Sequence, residues 1–344
     1  MSEANASISA EAMASGDASA LYAIAVEHDE GSGRPQDFAE ARRLFEMAAA
    51  QGHAMAQFRL ARMCFEGVGG PEDDVQARRL LELAAVQGHA VAQYRLGVMW
   101  AAGLGGPSDH AEARRMFALA GAQGQAGAQF QLAFMLRDGK GGPADPVEAR
   151  RLFTLAAAQD LALAQHNLGG MLLKAMGGPK DPVEARRLFG LAAAQGIAAA
   201  QVDLALLHVS GDGGSVDLTE ARRLFALAAA QGNPQGQFCL GRMLRDGEGG
   251  PTDAAEARRL FGLSAAQSYV NAQAHLAHMC CEGQGGSEDI LEARRLYGLA
   301  AAQGHDEAQY KLARMCFEGV GGPEDDVEAR RLFVLAAAQG HADA

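Results

Sequence analysis

The chain has little of what most folded domains use to fill a core. Of its 344 residues one is tryptophan and five are tyrosine, and aromatics make up only 6%. Yet 49% is hydrophobic. Small side chains, alanine above all, therefore supply the apolar surface; they let helices approach closely and lose little rotamer freedom. No apolar run approaches the roughly 18 residues needed to span a bilayer. Positive charge is not in excess either. The formal net charge is −12, which argues against nucleic acid or an anionic membrane as the main partner. The opening stretch, MSEANASISAEAMASGDAS, lacks both the basic and the apolar region of a secretory signal. Cysteines number five, an odd count that does not suggest a disulfide framework, so a reducing, cytoplasmic setting is expected. Catalytic signatures are missing as well: no S-x-x-K, H-E-x-x-H, G-x-S-x-G or G-x-x-x-x-G-K-[ST] occurs.

What the chain does have is a period. The stretch LARMCFEGVGGPEDDV runs from Leu60 to Val75 and returns unchanged from Leu312 to Val327. An Arg-Arg pair preceded by alanine begins at Arg42, Arg78, Arg114, Arg150, Arg186, Arg222, Arg258, Arg294 and Arg330, every step being 36 residues. Nine repeats at fixed spacing mean an array of identical supersecondary units. Three cysteines, Cys64, Cys280 and Cys316, are one position of different repeats.

The repeat from His53 to Gly88 shows the pattern. Ala56, Leu60, Ala61 and Cys64 fall at helical spacing, and Gly67 ends that helix. A loop follows, in which GVGGP joins two helices rather than a strand to a helix, so it is not read as a nucleotide site. Asp73 then stands as N-cap of a second helix, as an aspartate does in all nine repeats. Position 76 is glutamate in the other eight, which reads as a capping box. Pro146 and Pro182 stand at N1, where proline costs nothing. The second helix buries Ala77, Leu80, Leu81, Ala84 and Ala85, and Gly88 stops it. Each repeat is thus a hairpin of two helices of about 13 residues, which needs its neighbours to bury both faces.

These residues resemble the Sel-one-like repeat, a relative of the tetratricopeptide class. The likeness rests on Ala56, Leu60 and Ala61 in the first helix, Gly67 and Gly69 in the loop, Asp73, and then Glu112-Ala113, Ala156-Ala157 and Gly196 in other copies. It runs from about residue 16 to 341. The resemblance implies an all-α, right-handed α-α superhelix (solenoid) of nine 36-residue hairpins, with first helices on the concave side, working as an adaptor or scaffold. The whole of 16–344 is expected as one such array. Residues 1–15 read as a degenerate cap or a flexible tail. The last helix leaves Leu332, Phe333 and Leu335 without a next neighbour, which leaves dimerisation through that end open. Some cysteine-rich members of the family are described as β-lactamase-like. They carry paired cysteines linking the two helices of a repeat, and that pairing is missing here, so the activity does not carry over.

Columns identical in every repeat serve the stacking every repeat shares. The arginine pair is read that way, as structural pairing within and between repeats, and Gln57, present in eight of nine with Leu21 the exception, as bonding a neighbouring backbone group. Columns that change are free to carry a site. In the first helix, positions 55, 59, 62 and 66 vary along one face. A solvated surface would vary too, but this one holds apolar residues, Phe134, Leu163, Leu173, Leu206 and Val209, which suggests a contact surface. Toward the ends it carries Arg59, Arg62 and Arg95, then Arg242, Arg245, Lys311 and Arg314, with His275 and His278 beside them. A protein or peptide with apolar anchors and acidic flanks is the expected ligand; a structural spacer is the alternative. His275, His278 and Cys281, with Cys239 one repeat earlier, have ligand chemistry that suits zinc. Neighbouring repeats lie about 10 Å apart, a long reach, and no metal or cofactor is expected.

Overall fold

The computed structural model describes residues 16–341. Residues 1–15, read above as a cap or tail, lie outside the described residues. The chain divides into two compact units after Pro179. The first contains α1 (Ala18–Glu30), α2 (Phe38–Ala50), α3 (Ala54–Glu66), α4 (Asp74–Val86), α5 (Ala90–Ala102), α6 (His110–Ala122), α7 (Ala126–Asp138), α8 (Pro146–Ala157) and α9 (Ala162–Leu173). The second contains α10 (Pro182–Ala194), α11 (Ala198–Ser210), α12 (Leu218–Ala230), α13 (Pro234–Asp246), α14 (Ala254–Ala266), α15 (Val270–Glu282), α16 (Ile290–Ala302), α17 (Asp306–Phe317) and α18 (Asp326–Ala338). No strand occurs among the described residues. Odd-numbered helices are the first of each repeat and even-numbered helices the second. The division falls in the loop between the two helices of the fifth repeat.

Each second helix starts at its aspartate. Asp73 accepts a hydrogen bond from the Gln76 N–H (2.8 Å), and Asp145 from that of Glu148 (2.9 Å). The capping box is only half present. The N3 glutamate does not turn back to the N-cap; it grips the second arginine of the pair, as Glu148 does Arg151 and Glu220 does Arg223. The N–H of the aspartate is satisfied instead across the hairpin, as Asp73 N–H donates to the Cys64 carbonyl (2.8 Å). First helices have caps of their own that the sequence reading did not foresee. Nδ1 of His53, His89 and His305 accepts from the third residue's N–H, which fixes those rings as the neutral Nε2–H tautomer.

The first arginine of the pair does a different job. Arg42, on α2, donates to the Pro71 carbonyl (3.1 Å) in the loop of the next repeat and to Cys64 Sγ (3.5 Å). Arg114 bonds the Pro143 carbonyl (3.0 Å) and Arg222 that of Pro251 (2.8 Å) in the same way. Where cysteine is replaced, the guanidinium finds another neighbour: it lies 3.3 Å from the centre of the Trp100 ring at Arg78 and bonds His208 Nδ1 at Arg186. Gly69 lets the loop come this close. Its φ is +69°, and a Cβ there would collide with the Phe38 carbonyl oxygen of the preceding repeat. The arginine pair is therefore structural within and between repeats, as expected. So is Gln57. Its amide donates to the Ala49 carbonyl of the preceding repeat (3.2 Å) and accepts from Gln87 (2.8 Å).

The core is alanine closely packed around one ring in each second helix except α4, where Leu81 takes the place; Phe45, Phe117, Phe153, Phe189, Phe225 and Phe261 are all fully buried. A ring on the first helix packs against it in several repeats: Tyr22 on Phe45, Phe130 on Phe153, Phe238 on Phe261, centroids 5.7–5.8 Å apart, the range in which aromatic pairs attract. At the last helix the expectation needs correcting. Leu332 is buried within its own hairpin cluster. Leu335 is exposed, but so is its equivalent Leu299. Only Phe333 behaves as expected: it is half-buried where its inner counterparts are fully buried.

Candidate interaction surface

The face left over when a first helix has buried its Ala56 and Leu60 columns is the variable one. Within the first compact unit, Leu163 is 46% exposed, and Met55, Phe65 and Val91 are exposed with it. Within the second, Leu206 (39%), Val209 and Phe317 (61%) are exposed. Phe65 and Phe317 were missed by reading positions 55, 59, 62 and 66 alone. They share position 65 with Leu173, Val209 and Arg245, and comparing all nine copies at that position would have found them. Leu173 itself is half-buried. Second helices carry exposed leucines too, among them Leu83, Leu119, Leu227 and Leu299. That column is leucine in every repeat but the first, which has Met47, so it distinguishes almost no repeat from another.

Phe134 is not the bare anchor expected. It is half-buried, with the Arg137 guanidinium 4.5 Å and the Lys140 ammonium 5.2 Å from its ring centre, a cation–π arrangement. Several cations are also spoken for. Arg59 and Arg62 both reach back to Asp29 (3.3 and 2.8 Å), a carboxylate only 7% exposed that would be costly to leave unpaired. Arg245 pairs with Asp246 (2.7 Å), Lys311 with Glu307 (3.3 Å), Arg314 with Glu318 (2.8 Å), and His278 stands 3.3 Å from Glu282. Arg95 and Arg242 are exposed and make no ion pair among the described residues.

Hollows open between successive first helices, two of which bear on this face. A small one of about 80 Å³ lies between α3 and α5, bounded by Phe58, Phe65, Val98 and Met99. A larger one of about 290 Å³ lies between α13, α15 and α17, with Ala274 and Tyr297 inside and Arg245, His275, His278 and Lys311 around it. Here Arg245 donates to His275 Nδ1 (2.9 Å), and the His275 ring stacks on Phe261 at 5.6 Å. Burial, followed by the Arg245 charge, pushes the His275 pKa down to about 4. Burial also pushes the Cys239 thiol up to about 11, so it is protonated and a poor metal ligand. Among the described residues no group of three or more histidine, cysteine, aspartate or glutamate side chains is placed to hold a metal ion. All five cysteines are free. No helix among the described residues is long and apolar enough to cross a membrane.

Against family models, residues 18–341 match nine consecutive copies of the Sel1 repeat, from 18–53 to 306–341. Among solved structures, a protective antigen of uropathogenic Escherichia coli with an SLR fold is 28% identical, with a TM-score of 0.77, over 96% of this chain and 79% of that one. A Sel1 repeat protein from Oxalobacter formigenes is 30% identical, with a TM-score of 0.68, over 88% of this chain and 87% of that one. A comparison with curated proteins finds no match. Nine family matches in step with the arginine period, on hairpins that stack as the residues require, make this chain a member of the Sel1 repeat family.

Proposed function

We propose that the chain is a non-enzymatic interaction scaffold whose first-helix face binds a protein or peptide. The observation that carries this reading is the contrast between columns. The arginine pair, the loop glycine and the aspartate that serve the stacking are the same in all nine repeats, and Gln57 in eight, whereas the first-helix face changes from copy to copy and still keeps Leu163, Leu206, Val209 and Phe317 exposed. Exposed apolar residues in a variable column suit repeat-specific recognition. Arg95 and Arg242 are the cations best placed to steer an acidic partner, since Arg59 and Arg62 already serve Asp29.

The test is affinity capture followed by direct binding of the captured protein. Leu163→Asp with Leu206→Asp should weaken binding by about 2 kcal/mol or more, the scale of buried anchors, with the helical signal intact. Leu119→Asp with Leu299→Asp, on second helices, should leave it unchanged. The reverse pattern would move the binding face to the second helices.

A further inference from the structure

Repeat eight departs from the others at two facing positions. In the first helix, the column that holds a ring in seven repeats, among them Tyr22, Phe130, His166 and Tyr310, and Val202 in one, holds Ala274, its smallest residue. In the second helix, the column that holds phenylalanine in seven repeats and Leu81 in one holds Tyr297, its only hydroxyl. In repeats one, three, four, seven and nine these columns supply paired rings of the core. Here one ring of the pair is missing, and the cavity of about 290 Å³ lies at that place, far above the roughly 10–15 Å³ that admits one water. Its inner side is the buried Tyr297 ring and one wall is the His275 ring, held by Arg245 at Nδ1 and by Phe261 at its face. With Nδ1 accepting, the His275 proton sits on Nε2. The cations beside the cavity are Arg242, Arg245 and Lys311, of which Arg242 makes no ion pair among the described residues. The one carboxylate lining the cavity, Glu307, is already bonded by Lys311 and His341.

We propose that this cavity receives an aromatic side chain of a peptide partner, flanked in that peptide by aspartate or glutamate. The guest ring replaces the ring that Ala274 omits, against Tyr297, and the flanking carboxylates meet Arg242 and compete with Asp246 for Arg245 and with Glu307 for Lys311. The proposal rests on the first-helix face being the binding face and names what one part of it takes.

The probe is the capped pentapeptide Gly-Glu-Phe-Glu-Gly, titrated into the full chain by calorimetry, with the histidine ring protons followed by NMR. Controls are Gly-Glu-Ala-Glu-Gly, Gly-Gln-Phe-Gln-Gly and phenylacetate. Removing the ring or both acids should weaken binding about tenfold or more. Ala274→Phe rebuilds a ring that Phe58, Phe130 and Phe238 already supply in the fold, so it should fold normally and lose about tenfold or more in affinity. Tyr297→Phe restores the common residue and should keep most of the binding. Equal binding of the alanine peptide, unchanged binding by Ala274→Phe, or no binding at millimolar peptide overturns the proposal. Phenylacetate binding as tightly as the peptide overturns the peptide source in favour of a free aromatic acid. If Leu163→Asp with Leu206→Asp releases captured proteins while Ala274→Phe keeps them, the scaffold reading stands and the cavity is not part of it. If neither releases them, both readings fall.

Discussion

Asp160, Ala175 and Ser268 have φ of 59°, 53° and 63°, at positions where most other repeats carry glycine. A left-handed conformation costs an L-residue about 1–2 kcal/mol, less for aspartate, and glycine avoids it at some entropic cost. Ala175→Gly should therefore stabilise the chain by about 1 kcal/mol in urea unfolding, and Asp160→Gly by less; no change in midpoint would show that the backbone there relaxes for free. His275 makes a prediction about pH. Its folded pKa lies near 4 against an ordinary 6.5, so the unfolded chain takes up the proton first. Its contribution to stability is whole above about 6.5, fades as pH falls, and is gone near 4. His89 and His208 are shifted the same way by burial. The glutamates held low by arginine, such as Glu148 and Glu184, act below that window. Calorimetric Tm should fall from pH 7 to pH 4.5, and His275→Gln, using the residue that Gln131 provides in that column, should flatten part of the fall.

At the scale of the helix hairpin, adjacent arginines that look alike in sequence do unequal work. Arg42 is buried and bonds the next repeat, so Arg42→Ala removes bonds to the half-buried Val68 and exposed Pro71 carbonyls and should cost about 1–2 kcal/mol. Hydrogen exchange should quicken in the Val68–Pro71 loop as well as in α2. The second arginine is an exposed i, i+3 partner worth a few tenths of a kcal/mol. Repeat two lacks that pair because residue 76 is glutamine, and Gln76→Glu should add about 0.3–0.5 kcal/mol by pairing with Arg79. Helix number, length and start were legible because 36-residue identity, aspartate caps and glycine stops agree with one another. The false capping box shows where legibility ends. A glutamate at N3 followed three residues later by arginine satisfies two patterns at once. The choice is made by the Cys64 carbonyl, which takes the aspartate N–H across the hairpin and is invisible along the sequence. Histidine as N-cap was missed because a ring nitrogen serves only as one tautomer.

At the scale of the whole molecule, repetition made the variable face legible, while the fate of its charges was not. Arg59 and Arg62 meet Asp29 from the preceding repeat, a pairing that depends on how adjacent helices are turned. The same short reach governs stability. Removing residues 90–125, one whole repeat, should keep the helical signal per residue and cooperative unfolding, while lowering the urea m-value by about one repeat's share; loss of a cooperative transition would contradict nearest-neighbour stacking. After that excision Arg78 would meet Pro143 instead of Pro107, and both offer the same group, a backbone carbonyl. A lock that closes on main-chain oxygen tolerates change in the side chain beside it, as Cys64, Trp100 and His208 next to the guanidinium show. Copies can accordingly be duplicated, lost or moved by recombination without refitting the join, and each newcomer is free to diverge on its outer face. The verbatim return of LARMCFEGVGGPEDDV from the second repeat in the ninth, beside different neighbours, is the kind of history such a coupling permits.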